Sequence, residues 1–150
     1  MAVGIFMAAV EQDAVLVKTF SSSSAGIYAE QDCHASDSAI RGLEEDWEID
    51  ICSHKSRILK EEDIKNAFLV LTMTRDHKAI ITSRMPKYSD KIFTLKEYVQ
   101  NKSTDISTKE YDYRLDIMDP YGNNGNEYRK CAEEIGIAVD KLISKLKAEC

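Results

Sequence analysis

The stretch Lys60-Glu-Glu-Asp-Ile-Lys-Asn-Ala-Phe-Leu-Val-Leu-Thr-Met73 places three acidic residues directly ahead of a continuous apolar run. Acidic side chains favour the amino end of a helix because they oppose its partial positive charge. The apolar run from Phe68 to Met73 is typical of a strand that is buried on both faces. This stretch therefore predicts a short helix that leads into a strand, as in α/β proteins.

The same alternation continues on both sides of this stretch. Helices are predicted at Met1–Gln12, from a cap near Ser36 through Leu43, at Arg75–Arg84 and at Asn126–Lys147, and further strands at Val15–Phe20 and Ile92–Leu95. Helices that alternate with apolar strands imply parallel strands joined by right-handed crossovers. We therefore predict an α/β fold in one domain, residues 1–150, with an open parallel sheet between layers of helices.

Composition and charge exclude several classes of partner. The 150 residues are 43% hydrophobic and 31% charged, a balance typical of a globular domain. The net charge of -6 opposes binding to nucleic acid or to an anionic membrane. The apolar runs are far shorter than the roughly 18 residues that a membrane span requires. We therefore expect neither a nucleic-acid nor a membrane partner.

The four cysteines, at positions 33, 52, 131 and 150, contain no C-x-x-C pair. Together with the absence of a secretory leader, this pattern predicts reduced thiols in the cytoplasm. The adjacent pair Cys33-His34 is a poor metal site because two neighbouring ligands rarely complete a tetrahedron. We expect no metal and no cofactor.

The string Asp116-Ile-Met-Asp-Pro-Tyr-Gly122 lies between the last predicted strand and the last helix. A carboxylate before proline has a restricted backbone, so Asp119 is a candidate for a positioned general acid. The aromatic ring of Tyr121 can form the wall of a flat pocket. The alternative is an ordinary Asp-Pro turn that ends at Gly122.

Several strings in a fixed order resemble one family. They are Ser23-Ser-Ala-Gly26, Ser53-His-Lys-Ser-Arg57, Leu71-Thr-Met-Thr74 with His77, Phe93-Thr-Leu-Lys-Glu-Tyr98, and the string from Asp116 to Gly122. Together they resemble the low-molecular-weight protein tyrosine phosphatases, particularly the bacterial branch that includes protein arginine phosphatases. The resemblance runs from Met1 to Leu146.

This resemblance implies a three-layer α-β-α fold with a four-stranded parallel sheet and no metal. It also implies hydrolysis of phosphotyrosine or phosphoarginine in a protein substrate, through a phosphocysteine formed on a Cys-x5-Arg loop. Asp119 matches the general acid and base, and Tyr121 matches the aromatic wall beside the pocket. Ser24 and His54 match residues that hydrogen-bond beneath the phosphate loop and hold its shape.

The sequence departs from the family at its front. Met1-Ala-Val-Gly-Ile-Phe6 resembles the helix that directly follows the Cys-x5-Arg loop, and no cysteine here has an arginine six positions on. Cys52 is followed by Arg57 after only four residues, one too few to encircle a phosphate. We therefore expect a chain that lacks the first strand and phosphate loop of the family, through a wrongly chosen start, and that is inactive as it stands.

Two other functions stay open. A non-catalytic, phosphatase-like binding module would have the same fold without turnover. An arsenate reductase would need further redox cysteines, and Cys52 and Cys131 lack the spacing of a thiol relay. Within the phosphatases, the string from Lys91 to Val99 favours the arginine-specific branch.

Overall fold

A computed structural model describes residues 1–100 and 113–149 of the chain. In these residues the helices are α1 (Ala2–Glu11), α2 (Leu16–Thr19), α3 (Asp37–Trp47), α4 (Glu61–Asn66), α5 (Arg75–Arg84), α6 (Leu95–Val99) and α7 (Gly125–Glu149). The strands are β1 (Val70–Thr72) and β2 (Ile92–Thr94), and 3₁₀ turns occupy Pro86–Lys91 and Tyr113–Leu115.

The chain divides into two compact units, which we describe separately. The helical unit comprises Met1–Leu59 and Asp119–Cys150, and the sheet unit comprises Lys60–Met118. The assignment of residues 1–150 to one domain stays a prediction.

Helix α7 forms the centre of the helical unit, where α1 and α3 pack against it. Its apolar face follows the predicted helical spacing, and the buried side chains include Ile135, Val139, Leu142 and Leu146. The predicted cap of α3 is confirmed, because the Ser36 hydroxyl accepts a hydrogen bond from the Ala39 N–H at 3.3 Å. The same hydroxyl donates to the Tyr128 hydroxyl at 3.1 Å, which joins α3 to α7.

The strand predicted at Val15–Phe20 is wrong, because this segment contains helix α2. One carboxylate oxygen of Asp13 accepts from the N–H groups of Val15 and Leu16, at 2.9 and 3.0 Å, and this cap turns the chain into a helix. Only Leu16 in this helix is buried, whereas Val17 is exposed. The apolar run therefore reflects one packed side chain and not a strand buried on both faces.

Because of the cap of α2, we expect the free energy of unfolding to vary with pH in the acidic range. A hydrogen bond from Lys147, and then those from Leu16 and Val15, lower the pKa of Asp13 from 3.8 to about 2. A lowered pKa in the folded state contributes stability above the ordinary pKa, and this contribution disappears as the pH falls through the folded value. We therefore expect the difference in unfolding free energy between the natural chain and Asp13→Asn to shrink between about pH 4 and pH 2. Urea titrations across this range measure it, and a constant difference would contradict the assignment.

In the sheet unit, β1 and β2 pair in parallel with Leu71 opposite Phe93. This pairing confirms the α/β class. The predicted four-stranded sheet is not found, because the sheet of the described residues has two strands. The run from Phe68 to Met73 is also less buried than predicted: Phe68 is 72% exposed, and Val70 and Leu71 are half-buried. A two-stranded sheet leaves these side chains without neighbouring strands to cover them.

The segment that follows the second 3₁₀ turn is fixed by hydrogen bonds inside the sheet unit. The buried carboxylate of Asp116 accepts from the Arg75 N–H at 2.8 Å, at the start of α5. The Asp116 carbonyl accepts from the Lys96 ammonium at 2.9 Å, and the Ile117 N–H donates to the Met73 carbonyl at 2.8 Å. These bonds hold the final residues of the sheet unit against the end of β1.

Candidate active site

The Asp119-Pro120-Tyr121-Gly122 segment forms a tight turn that leads into α7. One oxygen of the Asp119 carboxylate accepts a hydrogen bond from the Tyr121 N–H at 3.0 Å. Pro120 is buried, and its carbonyl accepts from the Asn123 N–H at 3.0 Å. Gly122 has a φ of 81°, which a residue with a side chain rarely adopts. The turn therefore anchors its proline and leaves the carboxylate and the Tyr121 ring exposed.

The pKa of the buried Cys131 thiol is affected by the charges of Asp119 and of the amino end of α1. Burial first, and then the negative charges of Glu134 and Asp119, raise the pKa of Cys131, while the Met1 amino group acts in the opposite direction. Burial also lowers the pKa of the Met1 amino group. The sequence alone does not predict that the charges of Asp119 and the Met1 amino group affect the pKa of Cys131, because these three groups are not neighbours in the chain.

Ser24 and His54, which match supporting residues of the family, lie together in the structure. The Ser24 hydroxyl and the His54 Nε2 are 3.3 Å apart and form a hydrogen bond. Ser24 is exposed and His54 is half-buried. The role of these two side chains beneath a phosphate loop stays a prediction.

Backbone and side-chain hydrogen bonds hold the chain around this pair. Gly26 donates to the Arg57 carbonyl and accepts from the Leu59 N–H, both at 2.9 Å. The Ser56 hydroxyl accepts from the Cys33 N–H at 3.0 Å and donates to the Glu30 carbonyl. Residues 24–34 and 51–59 are thus joined at several points, which fixes the position of the Ser24–His54 pair.

Two cysteines, Cys33 and Cys52, are exposed. A hydrogen bond to Asp50 raises the pKa of Cys52, so its thiol is less ionised than an ordinary cysteine. Cys33 is exposed and hydrogen-bonds to the Glu30 carboxylate, at 3.5 Å. Cys150 lies outside the described residues. The rejection of Cys52 as a catalytic residue is therefore consistent with its surroundings.

The described residues give no sign of a metal centre: no three His, Cys, Asp or Glu side chains within 1–100 and 113–149 are grouped to hold an ion. In the same part of the chain, no helix is both long and apolar enough to cross a membrane.

The α/β fold and the Asp-Pro-Tyr turn define a class of protein, and comparison with known families identifies it. Residues 1–150 match the family described as "Low molecular weight phosphotyrosine protein phosphatase". The chain belongs to this family.

The proteins that the chain resembles include both arginine phosphatases and a tyrosine phosphatase. It is 33% identical over 150 residues to a protein-arginine-phosphatase of Bacillus subtilis (strain 168), with 99% of this chain and 89% of the relative aligned. It is similar to the crystal structure of a low-molecular-weight protein tyrosine phosphatase from T. tengcongensis, at 40% identity and a TM-score of 0.81, covering 96% of this chain and 88% of that one. A third similar structure is an arginine phosphatase mutant with a phosphorylated active-site serine, at 32% identity and a TM-score of 0.80, with 97% and 86% covered.

These matches confirm the predicted resemblance to the bacterial branch. They give no support to the expected truncation, which stays a prediction. The catalytic role of Asp119, the pocket role of Tyr121 and the supporting roles of Ser24 and His54 also stay predictions.

Proposed function

We propose that this protein dephosphorylates phosphoarginine in protein substrates and that Asp119 is the general acid and base. The observation that carries the proposal is the family match across residues 1–150, which includes the Asp-Pro-Tyr turn. The name of the B. subtilis relative supports phosphoarginine as the substrate. The family relationship alone leaves phosphotyrosine as the competing substrate.

The proposed reaction has two steps. A cysteine thiolate attacks the phosphorus, and the phosphorus–nitrogen bond of phosphoarginine breaks while Asp119 gives its proton to the departing guanidine nitrogen. The Asp119 carboxylate then takes a proton from water, which attacks the phosphocysteine and releases inorganic phosphate. The exposed position of Asp119 leaves its carboxylate accessible to a substrate and to water.

The 150 residues contain no cysteine followed by arginine six positions on. Backbone N–H groups and the arginine of such a loop bind the phosphoryl oxygens and stabilise the thiolate. We therefore expect these residues alone to show no turnover, and turnover to require a Cys-x5-Arg loop ahead of α1.

The test compares the 150-residue chain with a fusion that carries the first strand and Cys-x5-Arg loop of a family member ahead of Met1. Phosphate release is measured from a phosphoarginine peptide and from a phosphotyrosine peptide of the same sequence. We expect turnover only by the fusion, with at least about tenfold higher kcat/KM for phosphoarginine, a difference of about 1.4 kcal/mol.

A Cys-to-Ser fusion is the matched control, and circular dichroism confirms that both fusions fold. A folded fusion that hydrolyses neither peptide would refute the phosphatase proposal and favour the binding module. Preference for phosphotyrosine would refute the proposed substrate alone.

A further inference from the structure

A second surface of the helical unit contains an open hollow lined mainly by polar side chains. A cavity of about 450 Å³ lies between α3 and the start of α7. Ser38, Arg41, Gly42 and Glu45 line it from α3, and Asn126 and Arg129 line it from α7. The α3 residues follow helical spacing and therefore form one continuous face.

One arginine of this cavity is free to bind a ligand. Arg129 contacts the Glu45 carboxylate at 2.6 Å and the Asp46 carboxylate at 3.0 Å. The side chains of Ser38, Arg41 and Asn126, in contrast, make no hydrogen bond or ion pair with any residue that the structure describes. Because Arg129 holds Glu45, that acid is not paired with Arg41. The exposed Arg41 guanidinium thus has its donors available.

Close packing does not explain why position 42, in the part of α3 that lines the cavity, is a glycine. Glycine inside a helix is less stable than alanine, so an interior glycine needs a reason. A Cβ at Gly42 would meet no atom within 4 Å, whereas a Cβ at Gly136 would strike the Trp47 ring. Close packing therefore explains Gly136 and not Gly42. What Gly42 does is keep the floor of the cavity open beside Arg41.

We propose that this cavity binds an anionic group of the protein substrate, a phosphoryl or a carboxylate, with the Arg41 guanidinium as its main contact. The planar guanidinium donates two parallel hydrogen bonds to either group. The Ser38 hydroxyl and the Asn126 amide supply further donors. The inference rests on the proposed function, since Asn124 at the cavity rim closely follows Tyr121 in the same turn.

Direct binding tests the site without turnover. The 150-residue chain is titrated with inorganic phosphate at low ionic strength and followed by ¹H–¹⁵N NMR. We expect the shifted amide signals to cluster at Ser38, Arg41, Gly42 and Asn126. Arg41→Gln should weaken binding at least about tenfold, because it removes a charge-assisted contact. Lys141→Gln removes the same charge from an exposed position of α7 outside the cavity, and it should change the affinity less than about twofold.

Two further variants separate this site from its alternatives. Gly42→Leu should obstruct the cavity and weaken phosphate binding without lowering Tm, and Asp140→Asn, at an exposed position of α7 outside the cavity, should leave binding unchanged. A parallel titration with acetate assigns the natural group: equal affinity indicates a carboxylate and stronger phosphate binding indicates a phosphoryl.

Shifts spread over the surface, or equal weakening by Arg41→Gln and Lys141→Gln, would overturn the proposal. Phosphate binding at Arg41 together with an inert fusion would refute the phosphatase function and leave the cavity site standing.

Discussion

Replacing Gly136 by alanine should destabilise the protein by about 1–3 kcal/mol, as overpacking of a close contact does. An added Cβ would overlap the Cη2 atom of Trp47 and would lie 3.0 Å from its Cζ2 atom. Because the indole ring is rigid, either the whole ring or α3 must move away from α7. The free energy of unfolding, from urea titration followed by circular dichroism, measures the effect.

Gly42→Ala is the matched control, since both glycines lie inside helices of the same unit. Nothing occupies the space within 4 Å of a Cβ at Gly42. This variant should therefore gain about 0.5–1 kcal/mol from the lower flexibility of its unfolded state. Opposite signs for the two variants are the expected result. If both variants are destabilised, the loss of stability has a cause other than the Trp47 contact.

A double-mutant cycle tests the contact itself. In a Trp47→Leu background the ring is gone, and the cost of Gly136→Ala should fall by more than about 0.5 kcal/mol, the usual limit for independent sites. An unchanged cost would refute the clash with Trp47 as the cause.

The fold was predictable where one local signal dominates. In α7 the spacing of Ile135, Val139 and Leu142 predicts the buried face, because a single period determines which side chains point inward. At Val15–Phe20 the apolar residues indicated a strand, and the Asp13 carboxylate outweighed them by capping a helix. Hydrophobic pattern describes burial, whereas a cap determines backbone conformation, so the two signals can disagree.

The candidate site was predictable only in part. The motif match singled out Ser24 and His54, and the structure brings their side chains to 3.3 Å across thirty positions of sequence. Arg41 and Gly42 carried no such signal, because their cavity is created by the packing of α3 against the start of α7. An interior glycine in an otherwise amphipathic helix was the one available hint.

In the fusion that carries a Cys-x5-Arg loop, Asp119→Asn should lower kcat/KM for the phosphoarginine peptide by about 10²- to 10⁴-fold, the usual contribution of a general acid. The asparagine carbonyl oxygen can still accept the Tyr121 N–H, as the Asp119 carboxylate does at 3.0 Å, so the turn should keep its shape. What the amide loses is the acidic proton for the leaving group.

A second substrate, with a leaving group that needs no proton, distinguishes proton donation by Asp119 from a structural role of this residue. The para-nitrophenolate of para-nitrophenyl phosphate departs without a proton, so the loss in kcat/KM should be much smaller for this substrate than for the peptide. Asp140→Asn, an exposed substitution of the same kind on α7, should change neither value. An equal loss for both substrates would show that Asp119 supports the turn and does not donate the proton.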